Sequence, residues 1–468
     1  MNCRNYRRIL LLVMILVFVM LFTSVQAAEP EPEKLTLADS ISLALENNPS
    51  MKIAESAKEQ ALWRINQARS HQGITLKYDY LRGRTNEAPS WYNNTTIPYP
   101  VSVIPVQVPK TPTNPIGLGF HQIEYPAWDT TYGVYRHQLQ LVYPLYTGGK
   151  VENSIKMAEH GEEVADLTVD LTKQQLTAEA TTAYFRVLQA RNLADVANQA
   201  VEDLSAHLKI VQNHYDAGTV ALSDVLQTEV RLANARNNLI KAQNAFKLTR
   251  YNLNKVIGLP LHNEAILTEE FQHEIFKPTV DECIAAALDK RPELAQVKLR
   301  VEVAYDHRKI AKSGNLPTVA LLANKTWQDT YPSTMKEKSY WQAGAFVSFN
   351  VFDNGLTKSE IKQAENEITG AEQQVEQVKD KITLDVCQAY LNVQEASGRF
   401  ENNKVAVNQS ETDYKIMQER YENGVGTNLD VMDAELHMTQ AKINYIQALY
   451  DYHIGRAQLE RAMGVVKR

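Results

Sequence analysis

The second half of this chain repeats the first in constant register. Ala183-Tyr184 recurs as Ala389-Tyr390, and Tyr215, Gly218, Asp224, Val225 and Glu229 recur as Tyr421, Gly424, Asp430, Val431 and Glu435. Each pair lies 206 residues apart (390 − 184, 430 − 224). An earlier block, Leu37 to Pro49, recurs as Val280 to Pro292 with a shift of 243 (280 − 37). The difference, 243 − 206 = 37 residues, is an insertion in the first copy between these blocks. A chain of this kind uses one structural unit twice, so a single motif must account for both halves.

The repeat divides the chain into an expected signal peptide over 1–28, a first repeat over 29–270 and a second over 271–468. Arg4, Arg7 and Arg8 precede an unbroken apolar run from Ile9 to Phe22, and Val25-Gln26-Ala27 supplies small residues for cleavage after Ala27 or Ala28. That pattern predicts export, and Cys3 leaves with the signal. Of the remaining cysteines, Cys283 and Cys387 read as buried unpaired thiols rather than a disulfide, since both fall in helical patterns. A net charge of −6 offers no basic face to nucleic acid, and a mean hydropathy of −0.36 excludes a bundle of membrane-spanning helices.

Helical composition dominates. From Lys150 to about Tyr215 there is no proline and one glycine, which predicts a helix of roughly 100 Å at ~1.5 Å per residue. Gly218 ends it, and a second helix runs from Asp224 to about Ile257. The second copy predicts helices from about Leu356 to Tyr421 and from Asp430 to about Met463. Shorter helices are expected over Thr36 to Gln72 and Thr279 to Ser313, each continuous. Each copy then holds one long helix with two of half its length, which stack end to end beside it.

Between the first short helix and the long one the period changes to two. Ile74, Leu76, Tyr78 and Tyr80 alternate with polar residues, as do Tyr135, His137, Leu139, Leu141 and Tyr143. Ala345, Val347, Phe349 and Val351 do the same in copy two, where Pro317 to Trp327 fits a strand less cleanly. Each copy therefore contributes one hairpin, four strands in all. The insertion falls in the first hairpin loop, Arg84 to Thr131, which carries eight prolines. Trp91, Tyr92, Tyr99, Tyr125, Trp128 and Tyr132 flank it as a candidate aromatic girdle.

Four strands cannot close a barrel, and open edges do not persist in lipid, so several copies of the chain are needed. The helices demand the same. Ala434, Ala441 and Ala448, matched by Thr228, Ala235 and Ala242, place small residues at heptad spacing, which suits close sideways packing.

These features together resemble the TolC family of outer-membrane efflux proteins. The resemblance covers the whole mature chain. It is carried by the duplicated turn Tyr215…Asp224-Val225 and Tyr421…Asp430-Val431, by the two Ala-Tyr pairs, and by the strand-to-helix turns Tyr143 to Gly149 and Phe349 to Gly355. It implies a mainly helical homotrimer: a 12-stranded β-barrel in the outer membrane, four strands per chain, continued by a 12-helix α-barrel tube through the periplasm. It further implies a passive exit duct serving an inner-membrane RND or ABC pump through a periplasmic adaptor protein. Within the same class the chain could be a type I protein-secretion duct. A soluble secreted coiled-coil scaffold is the alternative of another class.

In such a family the helix-turn-helix tips form a periplasmic gate. The resemblance implies that Asp430 and Asp433 line it, three chains giving six carboxylates, and that Tyr421 links to Asp224 at rest. On its residues alone Asp430 reads as a helix N-cap, as Asp224 does in the other copy, whereas the counterpart of Asp433 is Gln227. The family's further arginine in the second turn is replaced by Gly426. Gly218 and Gly424 are expected at positive φ, with adaptor contact as a second possibility. His207 and His214, two turns apart without a carboxylate or cysteine partner, read as surface histidines. Thr147-Gly148-Gly149-Lys150 lacks the rest of a phosphate loop, and no GxSxG, HExxH or Cys-His pattern suggests an enzyme, a metal or a cofactor.

Overall fold

The computed structural model describes residues 34–85, 132–268, 276–331 and 338–465. The signal peptide, the loop residues 86–131 with Trp91, Tyr92, Tyr99, Tyr125 and Trp128, and the side chain of Tyr132 lie outside the described residues. The elements run β1 (Lys34–Leu35), α1 (Leu37–Asn47), α2 (Pro49–Ser70), β2 (Thr75–Thr85), β3 (Tyr132–Tyr146), α3 (Lys150–Asp216) and α4 (Leu222–Ile257) in the first copy. The second copy follows with β4 (Ile266–Leu267), α5 (Val280–Lys290), α6 (Pro292–Ser313), β5 (Thr318–Tyr331), β6 (Lys338–Ser348), α7 (Leu356–Glu422) and α8 (Asn428–Ala462). The two long helices have 67 residues each.

The short helices are not continuous as expected. Each breaks after 11 residues at a proline: Asn48 before Pro49 and Arg291 before Pro292 sit in extended conformation (ψ 129° and 124°). Proline clashes with a helical residue before it, and it is tolerated as the first residue of the next helix. Both leading helices open with a capping box, Thr36 with Asp39 and Thr279 with Glu282. The side chains reciprocally satisfy backbone donors that the first turn cannot.

By contacts the chain divides into two compact units. One comprises the described residues up to Ala57, Asp166–Ala295 and Glu376–Arg468. Its larger core gathers Leu35, Ala44, Met51, Leu176, Tyr184, Leu188, Leu253, Ile257, Leu267, Tyr450 and Ile454. Here β1 and β4 form a two-residue parallel pair that the sequence did not announce. The Tyr184 hydroxyl donates to the Thr268 carbonyl at 2.5 Å and lies 3.2 Å from that of Leu35, pinning the pair to α3. Its repeat counterpart, Tyr390, instead accepts from Gln394 on its own helix. The two copies also share a close approach. A Cβ at Gly258 would meet that of Asn47 at 2.5 Å, and one at Gly464 would meet the Lys290 backbone at 3.0 Å. Both glycines have positive φ, so each helix pair closes against α1 or α5 where a side chain would not fit.

The second unit, Lys58–Ala165 with Gln296–Val375, holds a four-stranded antiparallel sheet in the order β2-β3-β5-β6. Its register brings the expected apolar residues onto one face. Leu76 pairs Leu141 and Tyr78 pairs Leu139; Tyr143 pairs Leu321, and Leu321 pairs Ala345. The other face carries Lys77 against Gln140, Gln138 against Thr326, and Asn324 against Gln342. The last strand ends at Ser348, earlier than its alternation suggests. Phe349 and Val351 belong to the turn into α7, where Asn354 (φ 53°) and Gly355 (φ 85°) reverse the chain. Both cysteines are free, Cys283 buried as expected and Cys387 only half-buried.

Because the Tyr184 hydroxyl is a buried donor shared by two strands, Tyr184→Phe is expected to lower stability by on the order of 1 kcal/mol. Tyr390→Phe should be close to neutral. The thermal midpoints of the two purified variants check this.

Candidate functional site

The two hairpin turns, α3–α4 and α7–α8, meet in a second small core of the first unit. Val211, Val225, Tyr414, Tyr421, Val431, Ala434 and Met438 are buried there. Gly218 and Gly424 end their helices at φ 74° and 73°, as expected of a left-handed cap. Of the small heptad residues, Thr228 and Ala448 are fully buried and Ala434 nearly so, whereas Ala235, Ala242 and Ala441 are half-buried.

Asp430 is not the N-cap of α8. That position belongs to Thr427, whose hydroxyl is bonded to both the backbone and the side chain of Asp430, the third helical residue. Asp430 in turn accepts the Thr427 backbone N–H at 3.0 Å. These bonds hold its carboxyl below the usual aspartate range. In the first copy the cap position is Ala221, which has no side-chain cap bond, so Asp224 lacks the partner that Asp430 has. One Thr-to-Ala difference thus separates two carboxylates at equivalent positions.

Tyr421 lies near Asp224, and burial first, then the Asp224 charge, raises its pKa. The expected Tyr421–Asp224 hydrogen bond is not made: the Tyr421 hydroxyl is buried with no partner. The tyrosine ring instead meets two histidines edge-on, His207 at 5.2 Å and His214 at 5.5 Å between centroids. His207 is therefore not a surface residue. It is 2% exposed, and its Nε2 lies 2.8 Å from Asn428 Oδ1. His214, half-buried, bonds Thr219 within the first turn. Sequence alone offered only the seven-residue spacing of the two histidines, which puts both on one helix face toward whatever packs there.

Asp433 forms an ion pair of 3.6 Å with Arg231 on α4, both side chains about half-exposed. Gly426 sits close against the preceding turn. A Cβ there would lie 3.1 Å from the Tyr421 backbone nitrogen and 3.3 Å from Arg420, so a side chain at that position requires its neighbours to give by a few tenths of an ångström. One face of α8 buries Glu435, which bonds Thr439 at 2.7 Å. Burial raises the Glu435 pKa, and the Asp203 charge adds to it.

Among the described residues no group of histidines, cysteines and carboxylates could hold a metal ion. Nor is any described helix long and apolar enough to cross a membrane.

A duplicated hairpin chain with a one-faced apolar sheet defines a class, the subunit of an envelope channel. The family description "Outer membrane efflux protein" matches residues 40–259 and 283–465. The chain belongs to the outer membrane efflux protein family. It is 24% identical over 341 residues to the outer membrane protein TolC of Escherichia coli, covering 70% of this chain and 69% of that one. It is 23% identical over 440 residues to the alkaline protease secretion protein AprF of Pseudomonas aeruginosa, covering 92% and 85%. Among solved structures, the Campylobacter jejuni CmeC outer membrane channel superposes with TM-score 0.74 at 15% identity, over 92% of this chain and 85% of that one. The Vibrio cholerae outer membrane protein VceC gives 0.71 at 17% identity, over 92% and 96%.

The capping difference between the turns can be tested by reciprocal exchange. Thr427→Ala should raise amide exchange in the first turn of α8 about five-fold, and Ala221→Thr should slow it in α4 by a similar factor. Hydrogen-exchange mass spectrometry of the two peptides reads both.

Proposed function

We propose that the chain is one third of an outer-membrane exit duct, a passive channel fed by an inner-membrane RND or ABC pump through a periplasmic adaptor. The carrying observation is the sheet. Four strands, apolar mainly on one face and polar mainly on the other, end in β2 and β6, each with one edge unpaired among the described residues. A membrane barrel admits no open edge, and outer-membrane barrels begin at about eight strands. Three copies close the sheet at 3 × 4 = 12 strands. The apolar face then meets lipid and the polar face lines water. The soluble scaffold alternative leaves that apolar face unexplained.

In this reading the hairpin turns form the periplasmic entrance, with Asp430 and Asp433 towards the lumen and Gly218 and Gly424 shaping the surface offered to the adaptor. The six carboxylates do not form a plain anionic ring. Asp430 is engaged by Thr427, and Asp433 faces Arg231. With Gly426 in place of the family arginine, Arg231, which pairs with Asp433, is a cation placed to hold the second turn. An exposed pair contributes no more than about 1 kcal/mol, but three act together at one constriction. Protein secretion is a second reading, favoured by the similarity to AprF, a protease secretion protein, over 92% of the chain. Co-purification of the native pump separates the two readings.

Planar-bilayer recordings of the purified trimer provide the test. Arg231→Gln should raise resting conductance and cation preference, and Asp433→Ala should lower cation preference. If neither variant departs from the parent, the entrance lies elsewhere. Recovery as a soluble monomer that conducts nothing would sink the duct reading itself.

A further inference from the structure

At the joint between the two hairpin turns, Asn428 is the central polar residue. Its Nδ2 donates to the Asp224 carbonyl at 3.2 Å and lies 3.1 Å from Thr228 Oγ1, both on α4. With the amide nitrogen so committed, Oδ1 must accept, which makes His207 Nε2 the donor in their 2.8 Å bond. His207 is thereby fixed as the Nε2–H tautomer, and Nδ1 is left as a buried acceptor with no hydrogen-bond partner. The hydroxyl of Tyr421, whose ring packs on His207, is also buried and unpartnered. Three segments (α3 through His207, α4 through Asp224 and Thr228, and the first residue of α8) thus meet at one imidazole whose second nitrogen is buried and unpartnered.

We propose that His207 is a positioning residue that makes this joint acid-sensitive: a proton on Nδ1 places an uncompensated cation among the packed turns and drives them apart. The site is poorly suited to a cation on two counts. Burial penalises the charge, and Asn428 is the first residue of α8, whose amino end carries partial positive charge. Titratable and charged groups around the joint on these elements include Asp203, Lys209 and His214 on α3, Asp224, Glu229 and Arg231 on α4, Tyr414, Arg420, Tyr421 and Glu422 on α7, and Asp430, Asp433 and Glu435 on α8. Burial opposes the charge most strongly; the Asn428 bond and then the Glu422 charge favour the protonated ring, but burial outweighs both and the His207 pKa lies below its ordinary 6.5.

The sign follows from that direction. A histidine that resists protonation when packed contributes its full stability above about pH 6.5 and loses it as pH falls. If the open joint takes the proton at the ordinary value and the closed one rejects it, the balance shifts about ten-fold by one pH unit below 6.5. Glu435 titrates with the opposite sign, because burial favours its neutral form, so acid strengthens its packing. Glu435→Gln removes that contribution and isolates His207.

The consequence for transport rests on the reading of the turns as the entrance, and two readouts on one sample keep the two ideas apart. Hydrogen exchange of the intact trimer in lipid nanodiscs, corrected for the intrinsic pH dependence, is followed from pH 7.5 to 5.5 in peptides spanning 205–232 and 414–438. In the Glu435→Gln background exchange should rise about ten-fold, and adding His207→Gln, which keeps a donor to Asn428, should flatten the rise. His214→Gln should behave as its parent. No rise, or a rise that survives His207→Gln, overturns the proposal. Should His207→Gln not assemble, Asn428→Asp serves instead. Its carboxylate would compensate the imidazolium inside the closed joint, so the rise should be abolished or reversed, and an unchanged rise overturns the proposal. Conductance is recorded on the same trimers. Loosening without a conductance change leaves the acid-sensitive joint standing and refutes the entrance reading.

Discussion

The long helices of this protein lack the wide leucine stripe that would hold a bundle together along its whole length, so their fixing is concentrated at a few local points. The most consequential is the joint at Asn428, where one amide ties α4 and α8 to the buried His207 of α3. Around it, small residues such as Thr228 and Ala434 let the helices approach, and Tyr414 and Tyr421 fill the space between the turns. The other fixed points are of the same local kind: proline breaks with capping boxes, the Tyr184 pin, and glycines at which a neighbouring helix touches backbone.

Duplication gave the two halves the same frame, and their differences are confined to single residues. Tyr184 clamps a pair of strands whereas Tyr390 bonds within its own helix. Thr427 engages Asp430 whereas Ala221 leaves Asp224 without a cap partner. Asp433 has Arg231 where copy one has Gln227. None of these changes alters the helix count or the register of the turns. They alter charge and hydrogen bonding at sites already built, which is the cheapest route to a tip whose two turns behave differently.

Much of the frame was legible beforehand because long-range order here comes from repetition. The 206-residue register placed both turns, and alternation placed the sheet faces. The errors were local. Asn48-Pro49 and Arg291-Pro292 were read through as continuous helix although the residue before proline resists it. Phe349 and Val351 continued an alternating pattern past the point where Asn354 and Gly355 turn the chain. The site was less legible than the fold. Asp430 alone reads as an N-cap, but it is the third residue of α8; the cap is Thr427, three residues earlier, in a Thr-x-x-Asp capping box. The helical pattern around His207 predicts a surface residue, since nothing in its own helix reveals that Asn428, 221 residues later, packs against it.

The outer strands β2 and β6 carry a consequence for biogenesis. Each is 11 residues long and has no neighbour on one side among the described residues. In the proposed three-copy duct, a newly exported subunit presents two adhesive margins that two sister subunits must satisfy in the correct order. Folding of the sheet and assembly become one event, whose rate depends on how many subunits share the periplasm at once. A scarce subunit would wait exposed to proteases, and an abundant one would risk pairing out of register.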